Sequence, residues 1–282
     1  YNIKFSYHME VSMNKLKVAI IQMGVIEDKN KNIEKASSLI KNAVKEGIDI
    51  AVLPEMFLCP YDKSNFPVYA EKEGDLSYLL LSEMAKQNNI YLIAGSVPEK
   101  DNNGNIFNTS YVFDPNGNKI AKHRKVHLFD IDIENGQYFK ESDTLDVGDE
   151  VTVFDTKFGK IGLCICYDFR FPELSRLMMD KGAKAIIVPA AFNMTTGPAH
   201  WELLFRCRAV DNQVYTIGCA PARDYNASYI SYGNSIAVSP FGEILVHMNE
   251  KEGYNICSLD FDYVDKVRSE LPLISHRRLD IY

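Results

Sequence analysis

Short apolar runs alternating with stretches of helical spacing constrain this chain most. Residues 15–23 (KLKVAIIQM) and 48–53 (IDIAVL) are apolar, rich in β-branched side chains and of strand length. Between them, Ile33, Ala36, Leu39, Ile40, Ala43 and Val44 recur at intervals of three and four, which predicts a helix over 30–46 with one apolar face. Gly47 is a natural stop for it. Strand, helix, strand is the unit from which helix-covered sheets are built. The alternation continues to the end of the chain. Helices are predicted at 76–87, 172–181, 199–212 and 263–270. Strands are predicted at 90–97, 108–113, 119–123, 151–155, 160–166, 183–189, 214–220, 235–239, 243–247 and 254–259. Turn clusters at 101–104, 114–117 and 240–242 join neighbouring strands as hairpins, so the sheets are mixed. Residues 131–150 are polar and irregular and read as a loop that covers a site. No G-x-G-x-x-G follows the first strand and no Walker sequence occurs, which disfavours a simple doubly wound nucleotide fold. The fold class expected is an α/β sandwich, helices over mixed sheets. No repeat or low-complexity linker divides it, so one domain is expected.

With 46% hydrophobic residues the core can be sizeable. The net charge of −7 carries no basic block, so neither nucleic acid nor an anionic membrane surface is an expected partner. No apolar run approaches the roughly 20 residues that cross a bilayer. The cysteines are Cys59, Cys164, Cys166, Cys207, Cys219 and Cys257, with no C-x-x-C pair. That usage suits a reducing, cytoplasmic setting better than a disulfide framework, and no Cys/His spacing resembles a zinc site. Residues 1–12 lack a signal-peptide pattern and read as an extension ahead of a start at Met13.

The run Ile161-Gly162-Leu163-Cys164-Ile165-Cys166 ends in a polar turn, and Pro172-Glu173 then opens a helical pattern. Cys166 is therefore expected where a strand stops and a helix begins. Unpartnered N–H groups there would ease ionisation of a thiol and hold a developing anion. A buried cysteine acting as a small hydrophobe is the plain alternative. Cys164, two residues back on the same face, reads as core.

A cysteine nucleophile needs a base, an oxyanion partner and a dry pocket. Glu55 closes the buried run IAVL, where lost hydration would raise its pKa, although Pro-Glu also suits a surface turn. Lys125 lies in His123-Arg124-Lys125-Val126-His127, which could equally be a solvated basic edge. Glu141 is anonymous without context. His123, His127 and His200 are the other candidate bases, but the mid-chain Cys166 lacks a papain-like signature.

Three blocks in order, Leu53-Pro54-Glu55, His123 to Phe129, and Cys166-Tyr167-Asp168-Phe169-Arg170-Phe171-Pro172-Glu173, resemble the catalytic blocks of the nitrilase (carbon–nitrogen hydrolase) superfamily. The resemblance spans residues 15 to 282 and is greatest to the omega-amidase branch. It extends through 129–132, 191–204, 208–213, 221–224 and 278–282, with departures at Met56, Leu58 and Cys164. It implies a four-layer αββα sandwich over residues 13–282, with Glu55 as general base, Lys125 as oxyanion partner, Cys166 as nucleophile and Glu141 as the second glutamate of the site. It also implies a homodimer, or a higher assembly built from it.

On that resemblance the reaction is hydrolysis of a short dicarboxylate monoamide, such as 2-oxoglutaramate or 2-oxosuccinamate, through a thioester. The Tyr167 backbone N–H would assist Lys125, and no metal or organic cofactor is needed. Another amidase, or an N-carbamoyl amino acid hydrolase, of the same superfamily would use the same four residues. The substrate carboxylate calls for a cation or hydroxyl donors. Arg170 is the first candidate, against a structural ion pair with Glu173 or another acid. Thr195, Thr196 and Tyr61 are the hydroxyl candidates. Trp201 and Phe192 are expected to pack a wall or the core.

Overall fold

The computed structural model describes residues 15–134 and 138–281. The predicted extension at 1–12 lies outside them. In chain order the elements are β1 (Leu16–Gln22), α1 (Lys29–Val44), β2 (Ile50–Val52), α2 (Phe66–Tyr69), α3 (Leu76–Asn88), β3 (Tyr91–Ile93), β4 (Val97–Lys100), β5 (Ile106–Phe113), β6 (Lys119–Arg124), β7 (Asp130–Asp132) and β8 (Tyr138–Lys140). There follow β9 (Thr152–Thr156), β10 (Gly159–Leu163), α4 (Pro172–Asp180), β11 (Ala185–Pro189), α5 (Gly197–Asn212), β12 (Tyr215–Cys219), β13 (Ile236–Val238), β14 (Ile244–His247), β15 (Gly253–Leu259) and α6 (Phe261–Glu270).

Two mixed sheets stack face to face. The first runs β15-β1-β2-β3-β5-β4 with β6 on β5; the second runs β14-β13-β12-β11-β10-β9. Within them β1, β2 and β3 are parallel neighbours, as are β10, β11 and β12. Burial on both faces explains why these strands read as unbroken apolar runs. Val18 and Ile20 of β1 point into the core between the sheets, while Ala19 and Ile21 point outward to α1 and α3. The second sheet does the same, with Ile161 and Leu163 facing inward and Ile186 and Val188 packing beneath α4 and α5. The layers are helices, sheet, sheet, helices.

Local chemistry fixes the helix ends. The Asp28 carboxylate accepts the Asn30 and Lys31 N–H groups at 3.0 and 3.2 Å, capping α1. Pro172 opens α4, where its missing donor costs nothing. Among the described residues no helix is long and apolar enough to cross a membrane.

Three predicted elements differ. The strand expected at 90–97 is cut into β3 and β4 by Ala94-Gly95-Ser96, because Gly95 takes φ +53° and presses against the preceding strand end. A Cβ on Gly95 would sit 2.1 Å from the Pro54 carbonyl oxygen. The loop expected at 131–150 contains the paired strands β7 and β8 and then a 3-10 turn, Glu141–Asp143. The strand expected to reach residue 166 stops at Leu163. Beyond it the Asp168 carboxylate takes the Ile165 N–H at 3.0 Å, and a 3-10 turn spans Cys166–Arg170. The short helix α2 has no counterpart among the predicted elements.

Candidate active site

The ends of β2, β6, β10 and β11 meet at one edge of the sandwich. Each delivers one part of the site. Past β2, Leu53 and Pro54 lead to Glu55. Its Oε1 accepts the Lys125 ammonium at 2.9 Å, the Asn108 side-chain amide at 2.8 Å and the Tyr61 hydroxyl at 3.2 Å. Its Oε2 accepts the Ala191 N–H, just past β11, at 2.7 Å. Lys125 follows β6, and its Nζ lies 2.9 Å from both Glu141 oxygens. Glu141 also accepts the Tyr61 hydroxyl at 2.5 Å and the Phe129 N–H at 2.7 Å. Lys125 and Glu141 are wholly buried, and Glu55 is 1% exposed. Two carboxylates thus share one buried ammonium, a charge cluster that holds together only because each member is paired.

Cys166 is 5% exposed and lies beside this cluster. Burial, then the Glu55 charge, pushes its thiol well above the ordinary value, with Lys125 opposing; a hydrogen bond with Glu55 adds to the rise. Of the expected easily ionised thiol at a helix N-terminus, the position holds in the form of a 3-10 turn, and the ease of ionisation is corrected. Cys166 opens a 3-10 turn six residues ahead of α4, and its surroundings favour the protonated thiol. Burial alone would lower Lys125, but Glu141, Glu55 and then Cys166 more than offset it, so the ammonium stays charged. Burial raises Glu141, Lys125 opposing. Cys164 is fully buried in the outer core, as expected.

Backbone strain marks the same place. Among the described residues, five that are not glycine have positive φ. Asn89 and Gln213 terminate helices, whereas Met56 (φ +50°) follows Glu55 and Cys166 itself sits at φ +48°.

Tyr61 differs from expectation. Its hydroxyl points at the two carboxylates, which already use it, so it is part of the charge cluster and not a free substrate donor. Thr196 donates its hydroxyl to Asn193 Oδ1 at 3.1 Å, and the Thr195 N–H donates to the same oxygen at 3.1 Å. The two threonines close the turn that enters α5. Trp201 and Phe192 pack edge to face at 5.0 Å in the core.

Arg170, at the end of the 3-10 turn that Cys166 opens, lies over the Phe192 ring at 4.5 Å and meets His200 Nδ1 at 3.0 Å. Among the described residues no carboxylate comes within ion-pair distance of it, so the expected alternative pair with Glu173 is not made. Burial holds its pKa below the ordinary arginine value, with Cys166 and two tyrosines the charges it senses.

Each of the three candidate histidines is engaged by another side chain. His123 Nε2 and His127 Nδ1 are bound to Asp168 at 3.0 and 2.9 Å, and His200 is turned to Arg170. Asp168, Asn108 and the Ala191 N–H are members of the site that local sequence pattern did not single out. Asn108 carried no signal of its own, since it opens a polar Asn108-Thr109-Ser110 triplet within β5. A cleft of about 450 Å³ reaches the cluster through Glu55, Tyr61 and Tyr229. Among the described residues no group of three His, Cys, Asp or Glu could hold a metal ion. The arrangement offers a thiol, an adjacent carboxylate base and a fixed cation, the parts needed for acyl transfer.

The family model described as carbon–nitrogen hydrolase matches residues 17–269. The chain is 47% identical over 270 residues to omega-amidase NIT2-A of Xenopus laevis, covering 96% of this chain and 98% of that one. It is 46% identical over 268 residues to hydrolase C26A3.11 of Schizosaccharomyces pombe, covering 94% and 83%. The crystal structure of Saccharomyces cerevisiae Nit3, a member of branch 10 of the nitrilase superfamily, superposes with a TM-score of 0.88 at 43% identity, covering 96% and 99%.

Proposed function

The chain belongs to the carbon–nitrogen hydrolase family, and from that membership we propose that it hydrolyses the terminal amide of short dicarboxylate monoamides, such as 2-oxoglutaramate and 2-oxosuccinamate, to the acid and ammonia. The observation that carries the substrate class is Arg170, a half-buried guanidinium beside the thiol with no carboxylate partner among the described residues. A substrate carboxylate supplies the missing charge, and a planar guanidinium suits it. Thr195 and Thr196, at the entry of the helix that carries His200, lie on the loop nearest that end. The omega-amidases among its relatives support the same class.

Cys166 is the nucleophile. Glu55 removes its proton as sulfur adds to the amide carbon. Oε1 of Glu55 already accepts from Lys125, Asn108 and Tyr61, whereas among the described residues Oε2 accepts only from Ala191, so Oε2 keeps a lone pair for the thiol proton. The oxyanion faces the Lys125 ammonium and the Tyr167 N–H, which leads a turn whose first donors have no partner within it. Collapse breaks the C–N bond; the nitrogen takes the proton from Glu55 and leaves as ammonia. Glu55 then deprotonates a water that attacks the thioester, and the proton returns to sulfur as the acid departs. Glu141 and Tyr61 hold Lys125 in place throughout. The same reading includes a homodimer and a cytoplasmic location.

Ammonia release from dicarboxylate monoamides, N-carbamoyl amino acids and simple aliphatic amides tests the substrate. The monoamides are expected to have the highest kcat/KM, and Arg170→Ala to raise their KM by about 10-fold or more while leaving neutral amides unchanged. Equal preference across the panel would overturn the assignment. Cys166→Ala is expected to fold and release no ammonia.

A further inference from the structure

The residues that flank Lys125 and Cys166 are tied to each other by one side chain. Asp168 is fully buried. Its Oδ1 accepts the Val126 N–H at 3.1 Å, the His127 N–H at 2.8 Å and His127 Nδ1 at 2.9 Å. Its Oδ2 accepts the Ile165 N–H at 3.0 Å and His123 Nε2 at 3.0 Å. One oxygen grips the two residues after Lys125; the other grips the residue before Cys166. Burial alone would raise the carboxyl, but the hydrogen bonds from His123 and His127 outweigh it and hold it well below the usual range, so it is an anion with every approach filled. Lys125 extends from the first sheet, with its N–H on the Asn108 carbonyl at 2.8 Å. Cys166 extends from the second, where the Cys164 N–H meets the Ile187 carbonyl at 3.3 Å. A side chain that joins the two strand ends fixes what neither sheet fixes alone, the vector from ammonium to thiol. His127 adds a second clasp by stacking on Phe171 of the same turn, 3.7 Å between centroids and 11° from parallel.

We propose that Asp168 is a positioning residue that sets the Lys125 ammonium against the Cys166 sulfur, so that the oxyanion forms where the ammonium already is. The proposal rests on the reading of Cys166 as nucleophile and Lys125 as oxyanion partner. A neutral amide cannot replace it. Asp168→Asn keeps the volume but turns one acceptor into a donor, leaving either the 126–127 or the 165 N–H groups facing an NH₂.

The test compares two reactions of the same thiol in Asp168→Asn. Amide hydrolysis needs the oxyanion; alkylation by iodoacetamide needs the sulfur but forms none. The expected result is a kcat lower by about 10²-fold, as for a misplacement of about 1 Å, with KM within about 3-fold. Alkylation of Cys166, followed by mass spectrometry, should fall at least ten times less than kcat. Unchanged kcat, or equal losses in both reactions, would overturn the proposal. Should Asp168→Asn not fold, His127→Phe keeps the stack and removes one donor; its kcat is expected to fall about 10-fold with the same separation from alkylation. Cys166→Ala separates the two levels. If it still releases ammonia, the nucleophile assignment fails; if it is inactive while Asp168→Asn turns over normally, only the role of Asp168 fails.

Discussion

Replacing Lys125 by Met leaves the stem of the side chain and removes the charge that two buried carboxylates share. In the native protein Nζ lies 2.9 Å from Glu55 and 2.9 Å from Glu141, all three side chains out of water. Removing one member of a buried ion pair costs about 3–5 kcal/mol, because the remaining charge has no counter-ion. At about 2 °C per kcal/mol for a chain of this size, Tm at pH 8 should fall by about 6–10 °C. The loss should depend on pH, and its sign follows from linkage. Burial already raises Glu141, and Lys125 is the largest influence holding it down. Without the ammonium the folded carboxyl rises further above its unfolded value of about 4.3. A raised carboxyl stabilises fully below the unfolded value and loses that contribution as pH climbs through the folded one, at about 1.4 kcal/mol for each pH unit between the two. The native ammonium is raised, so its contribution is constant across pH 5.5–8. Thermal unfolding by circular dichroism at both pH values reads the outcome. The Tm gap between the native protein and Lys125→Met should be several degrees wider at pH 8 than at pH 5.5. A gap that is equal at both, or smaller than about 2 °C at pH 8, would refute the shared-ammonium arrangement.

Tyr61→Phe keeps the ring that stacks on Tyr229 at 4.5 Å but loses the donor to Glu141. Since a hydrogen bond to a charged group contributes about 1.5–3 kcal/mol, Tm should fall by about 3–6 °C, and kcat should fall as Glu141 loses its support, checked by thermal melts and steady-state kinetics. Gly95→Ala should lower stability by more than about 2 kcal/mol and reduce activity per folded molecule, because its Cβ collides with the Pro54 carbonyl next to Glu55; urea denaturation measures the first and active-site titration the second. Asp168 has a depressed carboxyl, so its stabilisation is present above about pH 4 and is lost as pH falls toward the folded value. Urea midpoints between pH 5 and 2 should therefore drop more steeply for the native protein than for Asp168→Asn.

Strand ends were the legible part of this site. Lys125, in a basic stretch that could equally be a solvated edge, took its role only from the resemblance to a family, whereas Glu55 and Cys166 close apolar runs that read as strands, so the α/β layering and two of the four central side chains were readable as candidates from pattern. Glu141 was not, since the 3-10 turn that buries it looks like any polar loop; only the resemblance to a family singled it out. The break at Gly95 was hidden because IYLIAGSV is as apolar as an unbroken strand, and what cuts it is contact with Pro54, some 40 residues away. Tyr61 reads as a substrate donor only for want of its partner, Glu141, which lies 80 positions along the chain. The same limit conceals Asp168, whose five donors come from two stretches, residues 123–127 and Ile165. Hydrogen-bond partners distant in the chain leave no period or spacing for a local reading to find.

The left-handed backbone at Cys166 narrows what evolution or an engineer can place there. A β-branched side chain resists that conformation, so threonine would have to unbend the turn before it could attack anything. Serine fits the dihedral angles, but its hydroxyl is far harder to ionise than a thiol, and a carboxylate such as Glu55 is a weak base for it. The identity of the proposed nucleophile is therefore constrained twice, once by the shape of the chain beneath it and once by the basicity within its reach.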